Sequence, residues 1–194
     1  MASSSSKSRS SRGERKTEEL PVLALNEVFV GESLSSRVSY YEMSVDDAEF
    51  VKQKNSGLTV CTGSGSTSWY FNINKMTRQN VAEVLRLAST LKSSDGKEAE
   101  PESALIERIC DTFNEALTFE PGAHKMAFCV RDPIFNATFP PCDARGFADA
   151  IRVKSRGYDT HLVVDGGVSF PFNDGADATL RCLKDDSLRT VIFR

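Results

Sequence analysis

Leu58-Thr59-Val60-Cys61-Thr62-Gly63-Ser64-Gly65-Ser66-Thr67 passes from a short β-branched apolar run directly into a loop of small residues, and what stands on either side of it decides the fold class. The run reads as a strand. The residues after the loop, with Trp69, Phe71 and Ile73, read as the start of a helix. Upstream, from about Pro21, the regular elements read as strands. Val22-Leu23-Ala24-Leu25, continuing through Val28-Phe29-Val30, reads as one buried strand, and Arg37 to Val45 is partly alternating and rich in β-branched and aromatic residues. Asp46-Asp47 is a turn, and a further extended stretch lies around Phe50-Val51. Downstream come two amphipathic helices, one carrying Val81, Val84, Leu85 and Ala88, the other Leu105, Ile106, Ile109, Phe113 and Leu117. The polar segment from Ser93 to Pro101 joins them. Strands then return at Ala127–Val130, Ala150–Val153, His161–Val164, Val168–Phe170, Ala178–Leu183 and Thr190–Phe193. Strands, then helices, then strands without βαβ alternation indicate an α+β fold, mainly antiparallel and sandwich-like, with two or three helices.

Composition narrows the classes further. A chain of 194 residues, 40% apolar and 26% charged, suits one soluble domain with a core large enough to need no disulfides or metal. No stretch has the apolar length of a membrane span, so no membrane partner is expected. Five widely spaced cysteines without a C-x-x-C pair predict reduced thiols and no zinc site. His124 and His161 have no third ligand at short spacing, which leaves a histidine metal centre or a Ser-His-Asp triad without support; no metal ligand is assigned. Residues 1–16 carry five Lys or Arg against Glu14 alone, net +4, leaving −7 for the remainder of a chain with net charge −3. Residues 1–19 are therefore expected to be a disordered basic segment and 20–194 the folded domain. The acidic remainder argues against nucleic acid as a partner.

Three features carry chemistry. Asn26-Glu27 is a polar pair at the end of an apolar run: an amide suits a nucleobase edge and a carboxylate accepts from a ribose diol, whereas the plain reading is a turn residue beside a solvated acid. Thr62 to Thr67 can offer backbone N–H groups and hydroxyls to an anion, or be a simple turn and helix cap. It is neither a P-loop, lacking the Lys, nor a dinucleotide fingerprint, since Ser68 stands at the third glycine. Val163-Val164-Asp165-Gly166-Gly167 ends a strand in Asp-Gly, a common hairpin turn.

In this order and at these separations the three features resemble the carboxy-terminal half of NAD kinases. Asn26-Glu27 matches that family's Asn-Glu motif, Thr62 to Trp69 its Thr-Pro-Thr-Gly-Ser-Thr-Ala-Tyr segment, and Asp165-Gly166 its later Asp-Gly. The runs from Ala24 to Arg37 and from Val163 to Phe170 are most similar to the animal mitochondrial branch. The resemblance implies ATP- and Mg-dependent phosphorylation of the adenosine ribose 2′-hydroxyl of NAD to give NADP. It also implies an amino-terminal α/β domain whose Gly-Gly-Asp-Gly motif supplies the base. That motif is absent here, so no catalytic residue is assigned, and the chain is expected to be a fragment or a short isoform. An alternative is a non-catalytic nucleotide-binding or dimerising subunit. Asn26, Glu27, Thr62, Gly63, Ser64, Gly65, Ser66 and Thr67 are the implied NAD-binding residues, with Ser56 and Asp165 as further candidates. Ser56 stands where bacterial members carry a nucleotide-contacting Asp, and Gly63 and Trp69 replace the usual Pro and Tyr, which alters the loop and its stacking surface. Implied partners are NAD or NADP and either a homodimer or full-length kinase. The implied location is mitochondrial, or cytoplasmic if the chain starts at Met1 without a transit peptide.

Overall fold

Among the described residues, ten strands form two stacked antiparallel sheets, with three α-helices on one outer face. The structure is a computed structural model that describes residues 18–92 and 101–188. Nearly all of the basic amino-terminal segment, the polar connection 93–100 and the expected last strand, Thr190–Phe193, lie outside the described residues. The elements are β1 (Glu27–Glu32), β2 (Ser39–Val45), β3 (Val51–Asn55), β4 (Leu58–Cys61), a 3-10 turn (Ser64–Thr67), α1 (Trp69–Asn74), α2 (Arg78–Lys92), α3 (Ser103–Glu115), β5 (Met126–Val130), β6 (Arg145–Ala148), β7 (Ala150–Ser155), β8 (Thr160–Val164), β9 (Val168–Pro171) and β10 (Asp177–Arg181). One sheet has the order β6-β5-β4-β1-β8-β9 and the other β10-β7-β2-β3. Among the described residues no helix is long and apolar enough to cross a membrane.

Period-two alternation explains the layering. Val28 and Val30 of β1, Leu58 and Val60 of β4, and Met126, Phe128 and Val130 of β5 point between the sheets, where they meet Tyr41, Met43, Ile151 and Val153 of the second sheet. The alternate residues Cys61, Ala127 and Cys129 point outward and are covered by Tyr70 of α1 together with Leu117, Phe113 and Phe119. Both faces of β4 and β5 are thus buried, and every residue of each is buried. Each such apolar side chain contributes about 1.5–3 kcal/mol by leaving water.

Several expectations change. The strand expected from Val22 begins only at Glu27, and Leu23 is 62% exposed; among the described residues no strand pairs with this entry to β1, and the N–H groups of Leu25 and Asn26 go to the Asp165 carboxylate. In α1 the buried anchor is Tyr70, between the expected Trp69 and Phe71. Val84 of α2 is 58% exposed and Leu105 of α3 is also exposed; Val81 and Cys110 are the buried residues of those helices. β6 carries no apolar alternation and was not expected; it is an edge strand defined by its pairing with β5. All five cysteines are free thiols.

Candidate functional site

The peptide of Asn26 is held at both ends. On one side the hairpin turn after β8 presents Asp165, whose Oδ2 accepts from the Leu25 N–H (2.7 Å) and whose Oδ1 accepts from the N–H groups of Asn26 (2.8 Å) and Glu27 (2.9 Å). The Asp165 N–H donates in turn to the Glu27 carbonyl at 2.9 Å. On the other side the Thr62 N–H donates to the Asn26 carbonyl at 2.9 Å, while Thr62 Oγ1 donates to the Leu25 carbonyl at 2.5 Å. Charge-assisted bonds of the first kind are the stronger ones. Three stretches that are far apart in sequence, Leu25–Glu27, Thr62–Ser66 and Val164–Gly167, are thereby brought together at one end of the six-stranded sheet.

Close approach is what the loop's glycines provide. A Cβ on Gly65 would stand 2.2 Å from the Asn26 carbonyl oxygen, and one on Gly63 would stand 2.2 Å from the Glu120 carbonyl oxygen. Ser66 is 0% exposed; its Oγ donates to the Gly63 carbonyl (2.7 Å) and accepts from the Phe119 N–H (3.2 Å). The loop is consequently wedged between the Asn26 segment and the Phe119–Pro121 segment. Several of its N–H groups are turned inward: Gly65 to Thr62 Oγ1, Ser66 to the Gly63 carbonyl and Ser68 to the Gly65 carbonyl. Where the sequence suggested a loop followed by a helix carrying Trp69, Phe71 and Ile73, the structure has a 3-10 turn, a break at Ser68 and the six-residue helix α1.

Asn26 and Glu27 are half-buried. The Glu27 carboxyl is pushed above the ordinary glutamate range, first by burial and then by the negative charge of Asp165. Glu27 pairs in register with Cys61, whose thiol is pushed up to about 12, chiefly by burial and further by the Glu27 charge. A desolvated carboxylate beside a like charge is relieved by a ligand that donates hydrogen bonds to it, and hydroxyl groups do so.

Ser56 is placed elsewhere. It lies beyond the opposite end of β4, roughly 20 Å along the chain from Thr62, and its N–H donates to the Arg131 carbonyl at 2.9 Å. Between the two ends, Phe29 packs at a tilt against Trp69, with ring centres 5.2 Å apart, and the Arg131 guanidinium sits 5.8 Å and 5.3 Å from the two ring centres. Spacing gave no sign of Arg131, which joins the cluster from the end of β5. The concavities of the described residues in the α2–α3 groove, around Arg78 and Ser103, and at the sandwich edge, around Gln53 and Cys142, include none of these site residues. Among the described residues, no three His, Cys, Asp or Glu side chains gather to hold a metal ion.

An antiparallel α+β sandwich with an Asn-Glu pair held between an Asp-Gly turn and a glycine-rich loop can be set against known proteins. No protein-family model matches the chain. Mitochondrial NAD kinase 2 of Homo sapiens is 48% identical over 174 residues, covering 90% of this chain and 39% of that protein. The Rattus norvegicus protein of the same name is 49% identical over 177 residues, covering 90% and 40%, and that of Xenopus tropicalis 46% over 190 residues, covering 90% and 44%. Among solved structures, yeast NADH kinase complexed with NADH is 13% identical with a TM-score of 0.46, covering 80% of this chain and 33% of that one. An NAD kinase from Archaeoglobus fulgidus in complex with ATP is 17% identical with a TM-score of 0.47, covering 87% and 52%. Over nine-tenths of its length the chain is thus 44–49% identical to mitochondrial NAD kinase 2 proteins. It spans about two fifths of the length of the mitochondrial NAD kinase 2 proteins that it matches.

Proposed function

We propose that this chain is the dinucleotide-binding part of an NAD kinase, corresponding to the carboxy-terminal domain, and that Asn26 and Glu27 face the bound NAD or NADP. The observation that carries this reading is the convergence on the Asn26 peptide of two segments that match the family's motifs. With its backbone held by Asp165 and Thr62, the Asn26 side chain addresses a base or carboxamide edge, donating and accepting at once. The Glu27 carboxylate accepts from a ribose hydroxyl pair, which offsets its desolvation. Gly63, Gly65 and Ser66 act by fixing the loop, and Ser64 and Thr67 are its members closer to solvent. The reaction of the complete enzyme is transfer of the terminal phosphoryl group of ATP, with magnesium, to the adenosine ribose 2′-hydroxyl. Such transfer rests on positioning and charge stabilisation. On this reading the phosphoryl donor, its metal and the base are supplied outside this chain, and no metal step is routed through its residues. The setting is mitochondrial by relation to the proteins matched, and the partner is a second copy or full-length kinase.

Calorimetric titration with NAD and NADP tests the site. The chain binds weakly, and Glu27→Ala weakens binding by about one order of magnitude or more, since a hydrogen bond to a charged group contributes about 1.5–3 kcal/mol. Equal affinity in the two proteins, both shown folded by thermal melts, would make the Asn-Glu pair purely structural and remove the reading.

A further inference from the structure

We infer that Asp165 is a positioning residue: its carboxylate sets the backbone course of Leu25–Glu27, and so aims the Asn26 and Glu27 side chains, without itself touching the nucleotide. The inference rests on the nucleotide reading for what is being aimed, and on the hydrogen bonds for how.

The turn alone does not explain an aspartate. Asp165 and Gly166 lie at φ +47° and +65°, and the Gly167 N–H closes the turn on the Val164 carbonyl at 3.0 Å. This is a two-residue hairpin turn with both central residues left-handed, which Asn or Gly satisfies as well as Asp. Nor does the local charge favour it, since its carboxylate stands beside Glu27. What requires a carboxylate is the set of three donors: Leu25 N–H on one oxygen, Asn26 and Glu27 N–H on the other. An asparagine offers a single oxygen and would turn its own N–H₂ toward one of those N–H groups, donor against donor. Both oxygens of Asp165 are thus engaged by the backbone, and an aspartate beside an unfavourable neighbouring charge is explained by the course of the chain it holds. The groups facing Glu27 are Asp165 from the β8–β9 turn and Cys61 from β4, whose thiol, at about 12, is neutral at physiological pH. Asp165 is therefore the charge among them that acts on Glu27.

Asp165→Asn and Asp165→Gly separate the roles, because both retain the turn. The experiment measures amide hydrogen exchange at residues 25–27 by NMR, and NAD affinity by calorimetry across pH, on the whole 194-residue chain. Expected are unchanged exchange at Val28 and Val30, at least tenfold faster exchange at Leu25 in Asp165→Asn and at all three amides in Asp165→Gly, and NAD binding weakened at least fivefold. The pH midpoint of Glu27-dependent binding also moves down in both variants, which loss of packing alone would not cause. In a Glu27→Ala background, Asp165→Asn adds much less than fivefold. Weakened binding with wild-type exchange at residues 25–27 would overturn the inference in favour of a direct ligand contact, and wild-type exchange together with wild-type affinity would overturn it outright. A wild-type chain that binds no NAD removes the nucleotide reading and with it what Asp165 aims; wild-type exchange in the variants then also removes the clamp.

Discussion

Gly65→Ala should be among the most damaging conservative changes in this domain. The added Cβ would stand 2.2 Å from the Asn26 carbonyl oxygen, 2.6 Å from its carbon and 3.0 Å from its Cα, all backbone atoms that cannot rotate away, whereas ordinary contact begins at 3.4 Å. Loop and segment must part by about 1 Å, which takes the 2.9 Å bond from the Thr62 N–H to the Asn26 carbonyl to nearly 4 Å, past bonding range. Overpacking of this kind costs about 1–3 kcal/mol and the lost bond about 1 kcal/mol more, so the expected destabilisation is about 2–4 kcal/mol. Urea unfolding followed by circular dichroism measures it, with Gly122→Ala as the control, since a Cβ there meets nothing within 4 Å. A Gly65→Ala midpoint that gives less than about 0.5 kcal/mol, the ordinary scatter of surface changes, would refute the close approach of loop to strand entrance.

Two further outcomes follow from the same face of the sheet. Cys61 and Cys129, buried with their thiols pushed up, should resist an aromatic disulfide reagent at pH 8 in the folded protein while the partly exposed Cys142 and Cys182 react; early labelling of Cys61 by mass mapping would contradict the packing. Because the folded-state Glu27 carboxyl is raised above its ordinary 4.5, the folded state holds that proton more tightly than the unfolded one, so its contribution to stability is present at low pH and lost as pH rises through and above that value. Glu27→Gln should therefore gain stability relative to wild type from acidic toward neutral pH, and parallel stability curves for the two proteins would rule out the shift.

How much of this was legible depends on whether an element announces itself by periodicity. Strands β2, β4, β5, β7 and β8 alternate or run apolar because they are buried on one or both faces, so their pattern is written by the core they enter. β6 is an edge strand with an exposed Arg145 and Phe147 and a glycine, and only its register with β5 defines it. Val22–Leu25 has the composition of a strand but, among the described residues, no strand paired with it; its Leu25 N–H is taken by a side chain 140 residues away. The Asn-Glu pair, the glycine-rich loop and the Asp-Gly turn were each visible as motifs. That they form one cluster could not be read from spacing, because their contacts are set by strand order, with β1 lying between β4 and β8.

This placement constrains how any functional experiment on the site must be read. Thr62, Gly65 and Asp165 act on the backbone of the Asn26 segment, so changing any of them moves the Asn26 and Glu27 side chains whether or not the changed residue meets a ligand. Asn26 and Glu27 are in the opposite position: their main chains are held by other residues, and the side-chain atoms beyond Cβ can be altered while those bonds persist. Loss of binding in Thr62, Gly65 or Asp165 variants therefore identifies a scaffold at least as readily as a contact. Loss in Asn26→Ala or Glu27→Ala, with amide exchange at residues 25–27 unchanged, identifies the contact itself. Of the two, Asn26→Ala should weaken binding less, because its bonds to a base edge are neutral and contribute about 0.5–1.5 kcal/mol where those to the Glu27 carboxylate contribute about 1.5–3 kcal/mol. The reverse order would mean that the pair's charge is not what meets the ribose.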